Sequence, residues 1–168
     1  MPQHFLSKSK YLRGLQCHKS LWLLKEDKIK PKAPSESLQI IFDEGTRVSE
    51  EAQKLFPRGK LIEYKGSTFD EKIAKTKEWL ASGESTIYEA TFKFDDILVM
   101  VDILTKGKNG WEFYEVKSAS DVYKNKSTKV KDVYVDDLAI QYYVLKGSGL
   151  DISSAFLVHT NNQYVRQG

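Results

Sequence analysis

Residues Thr86–Ser118 read TIYEATFKFDDILVMVDILTKGKNGWEFYEVKS. Three runs rich in β-branched and aromatic residues, Thr86–Phe94, Ile97–Thr105 and Trp111–Ser118, are separated by Asp95-Asp96 and by Gly107-Lys108-Asn109-Gly110. Both separators are turn sequences, so the spacing predicts an antiparallel meander. A two-residue turn at Asp95-Asp96 sets Tyr88, Ala90, Phe92 and Phe94 opposite Ile103, Val101, Val99 and Ile97, apolar against apolar. The same register sets Glu89 opposite Asp102. A second turn centred on Lys108 and Asn109 sets Asp102 opposite Glu115. Side chains alternate along a strand, so Glu115 and Lys117 share a face and Asp102 joins them.

The segment ILVMVDIL, residues 97–104, is apolar on both faces except at Asp102, the pattern of a central, buried strand. Burial disfavours a charged carboxylate, and neighbouring carboxylates repel. A divalent cation relieves both costs. Hard oxygen ligands in small number, completed by water, suit Mg²⁺ or Mn²⁺. The ordinary alternative is an ion-pair network, because Glu-x-Lys on one strand face is common on exposed sheets. The aspartate in the adjacent central strand sets this sequence apart.

Upstream, Ser7 and Ser9 are both placed to cap a helix running through YLRGLQCHKSLWLLK. Lys30-Pro31-Lys32-Ala33-Pro34 is a linker, since two prolines stop a helix. Ser35 opens a second helix with Leu38, Ile41, Phe42, Gly45, Val48, Ala52 and Leu55 at helical spacing, ended by Pro57-Arg58-Gly59. A glycine in that stripe costs about 1 kcal/mol against alanine, which implies a compensating close approach to a sheet. A third helix is predicted over Phe69–Leu80, ended by Ser82-Gly83. Downstream, a lysine-rich loop leads to a helix over Asp132–Lys146 ended by Gly147. A strand over Ala155–Thr160 and a further short one over Gln163–Arg166 follow. Helices, three strands, helix and strand imply one α/β domain over 1–168, with a mixed sheet covered on both faces.

A chain of 168 residues with 40% hydrophobic and 29% charged residues has an ordinary globular composition. No apolar run approaches the roughly 20 residues of a membrane helix. The start, MPQHFLSKSKYLRG, has no secretory apolar region. Cys17 is the only cysteine, which excludes an internal disulfide and makes a cytoplasmic location the expectation. The net charge is only +3, but lysines and arginines cluster at Lys8, Lys10, Arg13, Lys19, Lys25, Lys28, Lys30 and Lys32. They cluster again at Lys117, Lys124, Lys126, Lys129 and Lys131. Such clusters suit a polyanion partner and equally a solvated lysine-rich surface. His4, His18 and His159 have no metal-ligand spacing and read as structural or surface residues. Gln141 falls on the apolar stripe of its helix with Tyr134, Leu138 and Leu145, where a buried amide needs a partner. Asp137, one turn earlier, is placed to orient Gln141 or Lys117.

Asp102 followed by Glu115-Val116-Lys117 resembles the D-x(n)-E-x-K pattern of PD-(D/E)XK nucleases. LSKSKYLRGLQCHKSLWL, the helix carrying Gly45, and Gln141 within AIQYYVL resemble the RecB-like and CRISPR adaptation exonuclease branch. FDEGTRVSEEAQKLFP, YEVKSAS, DDLAIQYYVL and HTNNQYVRQG are similar to an uncharacterised bacterial family of that superfamily. The resemblance implies a restriction-endonuclease-like core and Mg²⁺- or Mn²⁺-dependent hydrolysis of DNA at ends or in single strands; RNA is not separated from DNA. It implies metal ligation by Asp102, Glu115 and the Val116 carbonyl. Lys117 would orient water or stabilise the transition state, and Gln141 would bind water, Lys117 or a phosphate. Lysines of the loop from Asp121 to Lys131 would hold the phosphate backbone. Family members are longer, so the 168 residues would be an N-terminal domain of a larger protein.

Three positions depart from that pattern. Ser49 stands where the branch carries a histidine, which leaves Glu89, or less directly Glu44, as the substitute ligand. Leu145 stands where a tyrosine is usual, with Tyr142 and Tyr143 nearby. Cys17 matches the early cysteine of the branch's iron–sulfur cluster, but no later cysteine follows, so no cluster is expected within this chain. Cys17 is then a small buried residue. The missing histidine leaves open a second function, a catalytically weak or inactive nucleic-acid-binding module. A third is an assembly domain of a larger protein.

Overall fold

Asp95 and Asp96 both take positive φ, 51° and 56°. Two successive left-handed residues make the two-residue hairpin turn whose twist matches that of the strands it joins. The computed structural model containing this turn describes residues 5–30, 33–63, 65–124 and 127–165. In chain order its elements are β1 (Leu6–Ser7), α1 (Lys8–Gln16), α2 (His18–Lys25), α3 (Glu36–Gln53), β2 (Lys60–Leu61), α4 (Phe69–Ala81), β3 (Thr86–Phe94), β4 (Ile97–Gly107), β5 (Gly110–Lys117), α5 (Asp132–Gly147) and β6 (Ile152–His159).

The sheet is mixed, in the order β2-β3-β4-β5-β6, with β1 joined to β4 off this path. The hairpin register is the expected one: Tyr88 pairs with Ile103, Ala90 with Val101, Phe92 with Val99 and Phe94 with Ile97. The β4–β5 ladder runs from Gly107↔Gly110 to Ile103↔Tyr114. The same edge of β4 then pairs in parallel with β1, Leu6 with Ile97 and Ser7 with Leu98. Between these two ladders β4 parts from β5, and Asp102 lies at the parting.

Helices flank both faces. On one, Ile87, Ala90, Val99, Val101, Leu104 and Phe113 pack with Val144 and Leu145 of α5, and with Trp79 and Leu80 of α4. On the other, Tyr88, Ile103 and Val116 pack with Val48 and Ala52 of α3. Each buried side chain of this size contributes about 1.5–3 kcal/mol. Tyr88 donates its hydroxyl to the carbonyls of Gln53 and Phe56, tying the end of α3 to β3. α4 is fastened by Thr76, fully buried, whose hydroxyl donates to the Lys72 carbonyl at 2.9 Å and accepts the Thr91 amide at 2.9 Å. No helix among the described residues is long and apolar enough to cross a membrane.

Several expectations are corrected. The first helix is two helices, because Cys17 takes extended backbone (φ −160°) between α1 and α2. The two fold back on each other at Gly14, where a Cβ would lie 2.8 Å from Leu21 Cδ2. Ser7, not Ser9, supplies the cap, accepting the Lys10 amide. Cys17 is exposed rather than buried. The apolar stripe of α3 is largely uncovered: Leu38, Ile41, Phe42 and Leu55 are exposed, because α3 reaches the second core only through its last turns, with Val48 and Ala52. Gly45 makes no close approach, since a Cβ there would meet nothing within 4 Å. No strand forms over Gln163–Val165, where the chain turns; Arg166 lies outside the described residues, as do His4, Pro31, Lys32 and Lys126. β1 and β2, two residues each, were not anticipated.

Gly45→Ala is expected to stabilise the chain by about 1 kcal/mol, the helix-propensity difference with no steric charge against it. A lower melting temperature in the variant would mean that α3 is pressed against another surface there. Thr76→Val strands the Thr91 amide in the interior and is expected to cost about 1–3 kcal/mol in denaturant unfolding.

Candidate functional site

The site forms where β5 and α5 face each other. Glu115, 2% exposed, and Lys117 lie two residues apart on β5, so they project to one side. Lys117 Nζ donates to Glu115 Oε1 at 2.6 Å and to Asp137 Oδ2 at 2.7 Å. Asp137 and Gln141 are four residues apart on α5 and share a helix face. Gln141 is fully buried, and its Nε2 donates to Glu115 Oε2 at 2.7 Å and to Asp137 Oδ1 at 3.0 Å. The Gln141 amide therefore meets Glu115 and Asp137 rather than Lys117.

Lys8 completes this cluster. It opens α1 directly after β1, and the pairing of β1 with β4 carries it to the parting of the sheet. Its ammonium donates to both Glu115 oxygens at 2.8 Å and lies 3.1 Å from Asp137 Oδ1. Lys8 was legible only as one of many basic residues, because a two-residue strand leaves no periodic trace.

Asp102 approaches β5 from β4: its Oδ2 accepts the Val116 amide N–H at 2.6 Å. At Val116 the atom meeting Asp102 is thus the amide, while its role as a carbonyl ligand rests on the resemblance alone. Burial, reinforced by the Glu115 charge, pushes the Asp102 carboxyl up to about 7, against the pull of Lys8 and of the Val116 amide. Burial also raises Glu89, with Glu115 adding to the shift and Lys8 opposing it. Asp137 moves the other way: burial would raise it, but Lys8 and Lys117 together hold it below its ordinary range. Burial opposes the charge of Lys8 and Lys117 too, yet Glu115 and Asp137 outweigh it and both ammonium groups hold their protons more tightly.

Glu89 takes φ 56°, a left-handed conformation that a non-glycine residue rarely adopts within a strand. On both sides of it the register is regular. Yet Ile87 and Ala90, three residues apart, pack into one core, as do Val101 and Leu104. The facing of both strands switches across the Glu89–Asp102 position. Such local strain is stored preferentially at functional sites.

The remaining candidates separate. Glu44 is exposed on α3 and paired with Arg47 at 2.6 Å, away from the cluster. Ser49 shares with Glu89 a groove of about 920 Å³ between α3 and β2. Leu145 is core, and Tyr142 and Tyr143 are exposed, the latter donating to Asp95 Oδ2 at 2.9 Å. In the loop before α5, Lys124 and Lys131 pair with Asp132 and Asp121. His18 starts α2 on the surface. His159 Nδ1 lies 3.0 Å from the Thr160 carbonyl.

Among the described residues no three Asp, Glu, His or Cys side chains are gathered as a ready-made ion cage. The donor chemistry nevertheless suits a hard divalent cation. Glu89, Asp102, Glu115 and Asp137 offer only oxygen, and burial disfavours the charged form of Asp102, which a cation would favour. Gln141 Oε1, buried, accepts no hydrogen bond among the described residues.

The Asp102 shift sets a pH dependence. In the unfolded chain the carboxyl ionises near pH 4. In the folded, metal-free chain it keeps its proton to about 7. Its protonation therefore stabilises the fold fully below about pH 4, and that contribution fades as pH rises through 7. The stability difference between wild type and Asp102→Asn, measured by urea unfolding across this range, is expected to move against the wild type as pH rises. A difference independent of pH would refute the shift. A scan against protein-family models finds no match for the chain, and a search of curated proteins finds none.

Proposed function

We propose that this chain is a divalent-metal-dependent nuclease of the PD-(D/E)XK type, with a restriction-endonuclease-like core and DNA as the polyanion it hydrolyses. The observation carrying this reading is that Asp102 of β4 accepts the Val116 amide, between Glu115 and Lys117 of adjacent β5, whose side chains are held by Asp137 and Gln141 of α5. The residues stand in the order D-x(n)-E-x-K on neighbouring strands, and the acidic oxygens suit Mg²⁺ or Mn²⁺.

Such an ion, when bound, lowers the pKa of water and neutralises charge on phosphoryl oxygens. Asp102, Glu115 and Glu89 supply its oxygen ligands, Glu89 standing in for the histidine replaced by Ser49. Lys117 keeps its proton under the influence of Glu115 and Asp137, so it presents a fixed positive charge to a phosphoryl oxygen as negative charge develops there. Asp137 holds Lys117 in place. Gln141 orients Glu115 through its Nε2. Action at ends or on single strands follows from the resemblance alone.

A second reading has its own observation. Every Glu115 oxygen is already held by a protein donor, and Asp137 is held by two lysines. A nucleic-acid-binding module whose charges are internally neutralised would look the same. Cleavage of single- and double-stranded DNA in Mn²⁺ separates the two. The nuclease reading expects activity that falls about 10²–10³-fold in Asp102→Ala and in Lys117→Ala. It also expects DNA binding that weakens steeply with salt. Binding without cleavage supports the module; cleavage unchanged in both variants refutes the site.

A further inference from the structure

Lys8 lies where the proposed ion has to go. Its ammonium is bidentate on Glu115, 2.8 Å from each oxygen, and 3.1 Å from Asp137. The Lys8 charge also acts on Asp102 and Glu89, opposing the effect of their burial. Lys8 is thus paired with Glu115 and Asp137 and lies near enough to Asp102 and Glu89 for its charge to be felt there, whereas Lys117 bridges Glu115 and Asp137.

We propose that Lys8 is the exchangeable cation of this site, and that a divalent ion binds by displacing its ammonium from Glu115 and Asp137. The proposal rests on the metal reading above and adds a competitor from the chain itself. Electrostatics favours the exchange. A divalent ion in place of a monovalent ammonium adds one positive charge beside the buried Glu115 and Asp137 and near Asp102. Geometry allows it. The Lys8 side chain is 20% exposed, and a four-carbon stem lets the ammonium withdraw to water while its backbone stays in α1. Lys117, on the same strand as Glu115, remains. Displacement also frees Glu115, whose two oxygens are otherwise saturated by Lys8, Lys117 and Gln141.

A competitor lowers apparent affinity by the fraction of sites it occupies. Titration calorimetry of Mn²⁺ into the metal-free full chain near neutral pH is expected to show Lys8→Met binding about tenfold tighter than wild type, or more. Equal or weaker binding by Lys8→Met, with wild type binding normally, overturns the exchange and leaves the metal reading standing. No binding by either protein removes both. Should Lys8→Met fail to fold, nuclear magnetic resonance of lysine-labelled wild type decides. With saturating Mg²⁺ the Lys8 ammonium signal is expected to move to that of a solvated ammonium. A signal unchanged at saturation overturns the proposal.

Discussion

Glu115 and Asp137 lie in an interior from which water is nearly excluded, and two ammonium groups reach both of them from separate parts of the chain. Lys117 comes along the same strand as Glu115, and Lys8 comes from the first turn of α1. Removing either partner of such a cluster leaves an uncompensated charge in a poor dielectric, which is far costlier than never burying the pair. The cluster therefore joins the N-terminal helix, the middle of the sheet and α5 at one point. The rest of the fold brings these three elements together.

The sheet makes room for the cluster by parting. β4 pairs along one edge with β3, on both sides of the Glu89–Asp102 position. Its other edge goes first to β1 and then to β5, leaving Asp102 between the two ladders. The Val116 amide finds the Asp102 carboxylate there. The left-handed backbone at Glu89 and the switch of facing on both strands occur at the same level of the sheet. One short stretch of irregular pairing thus lies where Glu89, Asp102 and the Glu115 strand come together.

Much of this was legible in residues 86–118. Asp95-Asp96 sets the register of β3 on β4, the turn centred on Lys108-Asn109 sets that of β4 on β5, and the second register puts Asp102 beside β5 at Glu115-Val116 without any tertiary information. Helical spacing likewise located α4 and α5 within a residue or so. Other features had no local signal. β1 and β2 are too short for alternation to show, so the arrival of Lys8 could not be foreseen. The stripe on α3 has the periodicity of a buried helix, but periodicity says that a face is apolar, not that anything covers it; Ile41 is 59% exposed. The helix cost of Gly45 implies no neighbour by itself, and the residue type of Cys17 does not fix its burial. Both depend on how helices lie on the sheet, which spacing within one helix does not encode.

The central claim is that a cation site, and not merely an ion-pair cluster, lies between Asp102, Glu115 and Glu89. Anomalous diffraction from crystals equilibrated with Mn²⁺ tests it most directly. The account predicts a peak bounded by Asp102 and Glu115, with the Lys8 side chain turned out to solvent. A site without a peak, with Lys8 still seated on Glu115 at saturating Mn²⁺, would contradict it.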